Sequence, residues 1–155
     1  MKTVHKSVLI WYSAEEMFAL VADIAQYPRF LPWCDHARVL AQDESGMTAE
    51  LGISMAGMRQ TLSTRNSHLP GPRIVIKMLD GPFSKLDGEW TFSELGRDAA
   101  PSAAAVGAVR ACRVGLHLRY GFNNSTLAKV VGPVFDRISN SLIDAFVKRA
   151  EQVYG

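Results

Sequence analysis

The chain opens on an alternation. Val4, Lys6, Val8 and Ile10 fall on one face of a first strand, and Thr3, His5, Ser7 and Leu9 on the other. The period then changes. In "SAEEMFALVAD", Ser13 is followed three residues later by Glu16, a capping box. It opens a helix with Met17, Phe18 and Val21 on its inner side. A proline- and aromatic-rich stretch, Tyr27 to Cys34, reads as a short Pro-interrupted helix or turn, and from Ala37 the pattern is strand-like. "MTAELGISM" is the clearest strand: Met47, Ala49, Leu51, Ile53 and Met55 alternate with Thr48, Glu50, Gly52 and Ser54. That rhythm belongs to an antiparallel sheet with one covered and one wet face. Ala56-Gly57 reads as a tight turn into a strand where Met58 and Leu62 oppose Arg59, Thr61, Ser63 and Arg65.

"LPGP" (Leu69 to Pro72) is a breaker. "RIVIKML" and "GEWTFSE" are the next strands, joined through "DGPFSKLDG" by a turn or bulged connection. The small, alanine-rich stretch Leu95 to Ala111 reads as a mobile hairpin loop, because strand pattern resumes directly after it: Val114, Leu116, Leu118 and Tyr120 alternate with Arg113, Gly115, His117 and Arg119. A long helix ends the chain, capped by Asn124, Ser125 or Thr126. Its apolar stripe runs from Leu127 through Val131, Val134, Phe135, Ile138, Leu142 and Phe146 to Val153. Gly132-Pro133 inside it predicts a kink. The order predicts one α+β domain over residues 1–155: two short helices after strand 1, a curved antiparallel sheet of about seven strands, and a C-terminal helix long enough to cover it. Sheet face and helix stripe either pack dry or leave a cavity between them.

Composition changes this picture little. With 155 residues, 48% apolar and 21% charged, the chain is ordinary for a soluble domain. A net charge of +2 is too weak to imply DNA as a partner. Cys34 and Cys112 form neither a disulfide framework nor a zinc pattern, which fits a reducing compartment. No apolar run approaches the ~18–20 residues of a membrane span, and the N-terminus has no leader pattern. The expected location is the cytoplasm.

Candidate chemistry is sparse. His5, His36, His68 and His117 make no HxxxH or HxxE spacing, and no P-loop, GxGxxG or GxSxG occurs. The Asp35-His36 pair could orient a base, but ordinary surface roles for the histidines are the stronger reading, and no catalytic or metal-binding residue is assigned. Arg59, Arg65, Arg73, Lys77, Arg110, Arg113 and Arg119 largely occupy outward strand positions, where they could touch rRNA or anionic lipid or simply be solvated.

"YPRFLPWC" (Tyr27 to Cys34), "DGPFSKLDGEWTF" (Asp80 to Phe92) and "GPVFDRISNSLIDAFVKRAEQVYG" (Gly132 to Gly155) together resemble the coenzyme Q-binding / ribosome association toxin (RatA) family of the START-like, helix-grip superfamily, often labelled polyketide cyclase/dehydrase. The resemblance covers nearly the whole chain. It departs at Leu95 to Ala111, which is longer and richer in alanine than the family pattern. It implies a sheet gripping the terminal helix around an apolar tunnel. Its eukaryotic branch is associated with ubiquinone binding and respiration. Some bacterial members are described as blocking ribosomal subunit association.

The expected tunnel lining is Met47, Leu51, Ile53, Met55, Leu62, Ile76, Met78, Trp90, Phe92, Leu116 and Leu118 from the sheet, facing Val131, Val134, Phe135 and Ile138 of the helix. Tyr27, Phe30, Leu31 and Trp33 form a rigid aromatic rim. It is either a gate for a ligand or a plug on a closed core, the gate being favoured. The leading expectation is a non-enzymatic carrier of ubiquinone or another lipid, with no required cofactor, working at or near the inner membrane surface. The alternative is a toxin that binds the large ribosomal subunit. A cyclase or dehydratase ranks last, since the inner face offers few acid/base groups.

Overall fold

Lys6 shows how the first strand solves a polar residue on an inward face. In the computed structural model, β1 (Lys2–Ile10) buries Val4 and Ile10, and Lys6 between them reaches out to donate to the Asn140 carbonyl at 2.6 Å. The structure describes residues 2–55, 57–70, 72–94, 111–122 and 124–155, with the backbone alone at 55, 58 and 127. Helix α1 (Ala14–Ala22) begins with the capping box read from sequence: Glu16 N–H donates to Ser13 Oγ at 3.0 Å, and Ser13 N–H to Glu16 Oε1 at 2.9 Å.

A 3₁₀ helix, Ile24–Arg29, follows with Pro28 inside it. Turns continue from it: Leu31 N–H donates to the Tyr27 carbonyl at 2.9 Å, and Cys34 N–H to the Leu31 carbonyl at 3.0 Å. Each proline lacks a donor, so the chain tightens here instead of continuing as α-helix. The sheet then runs β2 (Cys34–Asp43), β3 (Gly46–Met55), β4 (Met58–Leu69), β5 (Arg73–Asp80), β6 (Phe83–Glu94) and β7 (Cys112–Phe122). Its seven strands lie in the order β1-β7-β6-β5-β4-β3-β2, every pair antiparallel. Register shifts interrupt the β2/β3, β4/β5 and β6/β7 ladders, and such bulges bend a sheet. The concave face takes helix α2 (Ser125–Tyr154), which is the helix-grip arrangement.

Two boundaries differ from the sequence reading. β2 starts at Cys34, three residues before Ala37. β6 starts at Phe83, so "FSKLD" is strand and the connection is reduced to Gly81-Pro82. The bulge between Phe83 and Lys85 breaks the two-residue rhythm there, which is why the stretch reads as a turn. α2 stays helical through Pro133. Gly57, at φ 79°, takes the left-handed conformation a tight turn needs. Ala56 and the loop expected over 95–110 lie outside the described residues; Ala111 at its end is buried.

One core joins sheet and helices. Register pairs such as Leu51↔Leu62, Trp90↔Leu116 and Phe92↔Val114 set apolar side chains side by side on the concave face. Each fully buried one contributes about 1.5–3 kcal/mol. Phe146 of α2 is the hub, with ring centroids 5.3 Å from Tyr27, 5.2 Å from Phe30 and 5.2 Å from Trp90.

Candidate ligand cavity

The concave face and α2 do not pack completely dry. Between them lies a cavity of about 90 Å³. Alternate positions on successive strands build its floor: Leu51 and Ile53 of β3, Leu62, Thr64 and Asn66 of β4, Ile76 of β5, Leu86 and Trp90 of β6, and Leu118 of β7. Phe135, Ile138, Ser139, Leu142 and Phe146 of α2 roof it, and Ile24, Tyr27 and Trp33 close one end. Gly88 leaves room for Leu118 to cross into it: a β-carbon there would sit 2.5 Å from Leu118 Cδ2.

Ten of the residues expected from sequence line this cavity: Tyr27, Trp33, Leu51, Ile53, Leu62, Ile76, Trp90, Leu118, Phe135 and Ile138. Leu31, Met47, Phe92 and Leu116 are instead buried in surrounding core, and Phe30 and Met78 pack half-buried against it. Val131 and Val134 line a narrow cleft beside the cavity with Ile53, Phe83, Phe135 and Ile138. The Met55 side chain lies outside the described residues.

The sequence reading missed Ile24, Thr64, Asn66, Leu86, Ser139, Leu142 and Phe146 as lining. Carrying the period of two onward from Leu62 would have found Thr64 and Asn66. Ser139 lies four residues after Phe135 on the same helix face. Leu86 was hidden by the stretch read as a turn.

The aromatic segment is a wall rather than a water-facing rim. Tyr27 and Trp33 are buried, and the Tyr27 hydroxyl donates to the Val21 carbonyl inside the protein instead of meeting solvent. Burial, with lesser contributions from Cys34 and Asp23, pushes the phenol pKa far up. Trp33 is anchored through its backbone, its carbonyl accepting from Ser54 N–H at 2.7 Å. Phe30 carries the Arg149 guanidinium 5.2 Å over its ring. Desolvation, aided by Asp35, raises the Cys34 thiol to about 11, and it is buried. It is therefore a poor nucleophile.

Among the described residues no carboxylate, histidine, lysine or arginine lines the cavity. Among the described residues no group of three His, Cys, Asp or Glu side chains could hold a metal. His36 lies elsewhere, on the exposed sheet surface, with Nδ1 2.7 Å from Asp35 Oδ1 and Nε2 3.1 Å from Glu50 Oε2. Gly52 makes that possible, since a β-carbon there would lie 2.1 Å from Asp35 Oδ1 and 2.3 Å from His36 Nδ1. His117 is exposed and pairs with His5 across β1/β7 at 5.4 Å.

The outward basic residues are not a free positive face. Arg59 pairs with Asp35 at 3.1 Å, Arg65 with Asp43 at 3.0 Å, Arg73 with Glu89 at 3.1 Å and Arg119 with Asp87 at 3.2 Å. Among the described residues Lys77 and Arg113 have no ion pair; Arg110 lies outside them. No helix of the described residues is long and apolar enough to cross a membrane.

Known proteins match this architecture. A family model described as polyketide cyclase / dehydrase and lipid transport matches residues 10–147. A protein named ribosome association toxin RatA, from Vibrio cholerae, is 40% identical over 155 residues, covering 100% of this chain and 99% of the relative. Coenzyme Q-binding protein COQ10 homolog B, mitochondrial, from Xenopus laevis is 25% identical over 151 residues, covering 97% of this chain and 58% of the relative. Among solved structures, the ZhuI aromatase/cyclase from Streptomyces sp. R1128 superposes with a TM-score of 0.82 at 16% identity, covering 99% and 96% of the two chains. That likeness carries the fold alone. The chain therefore belongs to the polyketide cyclase / dehydrase and lipid transport family, among its members named RatA.

Proposed function

We propose that this protein binds an apolar ligand of the quinone or lipid class between its sheet and its C-terminal helix, and carries it without chemical change. One observation carries the reading: a closely packed domain retains an internal, mostly apolar cavity roofed by α2. Interiors otherwise pack to crystal-like density. The family's lipid-transport description and the coenzyme Q-binding name of the Xenopus relative agree with it. At about 90 Å³ the space is well below the roughly 300–1,000 Å³ of ligand pockets. Loading therefore requires the Trp33–Phe146 wall or α2 to move outward. The described lining holds no carboxylate or histidine and so no acid/base pair, which favours binding over cyclase chemistry. No cofactor is required for this role. It places the protein in the cytoplasm, with ligand collected at the inner membrane surface. Protein purified from its own host and extracted with organic solvent should release a prenyl quinone or lipid on mass spectrometry. A clean extract, together with no binding of added quinone, would overturn the reading.

A second reading follows from the relatives. Forty per cent identity along the whole of a protein named ribosome association toxin favours a contact with the ribosome. The four ion-paired arginines do not carry that reading, since their charge is already matched. Overexpression followed by sucrose-gradient profiling should then accumulate free subunits. An unchanged profile would exclude it.

A further inference from the structure

Thr64, Asn66 and Ser139 interrupt an otherwise mostly apolar cavity lining. On β4 the inward positions change character after Leu62: Thr64 is 3% exposed and Asn66 8%. Thr64 Oγ1 donates to Asn66 Oδ1 at 2.8 Å, which fixes the amide. That bond orients the amide, and its Nδ2 donors are what Asn66 can offer a ligand's acceptor. From α2, Ser139 lines the same cavity at 1% exposure, and its Oγ has no hydrogen-bond partner. A helical serine normally settles this by bonding to the carbonyl one turn back. Ser141, two residues on, does so with Arg137 at 3.0 Å, and Asn140 does so with Asp136 at 2.7 Å. The Tyr120 phenol, whose proton goes to Asp136 Oδ1 at 2.5 Å, keeps a lone pair facing Ser139, but the approach of the two hydroxyls falls short of hydrogen-bond geometry, which leaves Ser139 Oγ free to turn to a ligand. A buried hydroxyl left without a partner is costly, and native proteins rarely keep one without a use.

We propose that Ser139 and Asn66 are the polar anchor of the cavity, and that its ligand carries a neutral carbonyl, of ketone, quinone or ester type, set in an otherwise apolar ring or chain. This rests on the ligand-binding reading above. Ser139 Oγ–H donates to the carbonyl oxygen, and Asn66 Nδ2 supplies a second donor. A carboxylate or phosphate head is excluded on the same grounds. Among the described residues no lysine, arginine or histidine lines the space, and an unpaired buried anion is strongly disfavoured.

The test is a matched pair of probes on the full chain. Duroquinone and durene share a tetramethylated six-membered carbon ring and differ in the two carbonyls. Equilibrium dialysis gives each affinity, corrected by the probe's octanol–water partition, with laurate as the anionic comparison. The protein should prefer duroquinone after correction. Ser139→Ala should cut that preference about 3- to 10-fold, the worth of one hydrogen bond, and leave durene unchanged. Ser139→Thr should restore it. Binding of both probes with no preference, or a preference intact in Ser139→Ala, overturns the anchor and leaves the cavity reading standing. Laurate binding more tightly than duroquinone overturns the neutral-carbonyl class. Binding of neither probe overturns anchor and cavity reading together.

Discussion

Truncating Trp33 to alanine tests whether the aromatic segment is a structural wall or a moving gate. Trp33 is 7% exposed, so nearly all of the roughly 150–250 Å² that an aromatic side chain buries is out of water. At about 25 cal/mol per Å² the whole side chain is worth about 4–6 kcal/mol. Two effects trim this. Alanine keeps its β-carbon, and part of the indole borders the existing cavity, where it has fewer atoms to lose. The expected loss is about 3–5 kcal/mol, the usual cost of emptying such a site. For a domain of this size that lowers Tm by roughly 6–20 °C. Urea unfolding followed by far-UV circular dichroism is the suitable assay, because the mutation removes a tryptophan reporter. A loss below about 1 kcal/mol with an unchanged m value would refute the wall. The indole would then contribute little to the closed state and act as a gate, and apolar-probe binding should change while the fold is retained.

Other outcomes follow from the same geometry. Ser13→Ala removes half of the capping box of α1 and should cost about 1 kcal/mol in urea unfolding. Gly88→Ala should cost about 1–3 kcal/mol, because the new β-carbon meets the His117 carbonyl at 2.7 Å as well as Leu118, and the carbonyl is backbone that cannot turn away; a neutral result would show that the β6/β7 approach is looser than described. Acid should destabilise the protein. Partial burial pushes Asp136 and Asp87 up, but Lys2 and Tyr120 on the first, and Arg119 and Lys85 on the second, outweigh it and hold both below the usual carboxylate range. Their contribution is complete above the unfolded aspartate value of about 3.9 and is lost as pH falls through the depressed folded values. Burial, aided by Arg65, also holds His68 below the usual histidine range, so its share of stability is lost as pH falls below the unfolded value of about 6.5; thermal melts should therefore decline modestly below about pH 6.5 and drop further below about 4, and a Tm that rises on acidification would contradict the assignment.

What the sequence determined by itself is everything local. The alternation Met47 to Met55 marks β3, Ser13 and Glu16 mark the start of α1, and the stripe from Val131 to Phe146 marks the buried side of α2. Each signal is a spacing between neighbours along one element, and the backbone period alone converts it into a face. Three motifs added the family, and with it the grip of sheet on helix. The tertiary structure decided what those faces meet. Leu86 became part of the floor because β6 begins at Phe83, across a bulge that pairing with β7 imposes. Five outward cations, Arg38 among them, lost their free charge to carboxylates on other strands or other turns of the chain. Tyr27 turned its hydroxyl inward to Val21. Above all, Ser139, Thr64 and Asn66 came to face one space, with the Ser139 hydroxyl unmet. Whether a polar atom finds a partner depends on groups far away in the chain, and no local period encodes that.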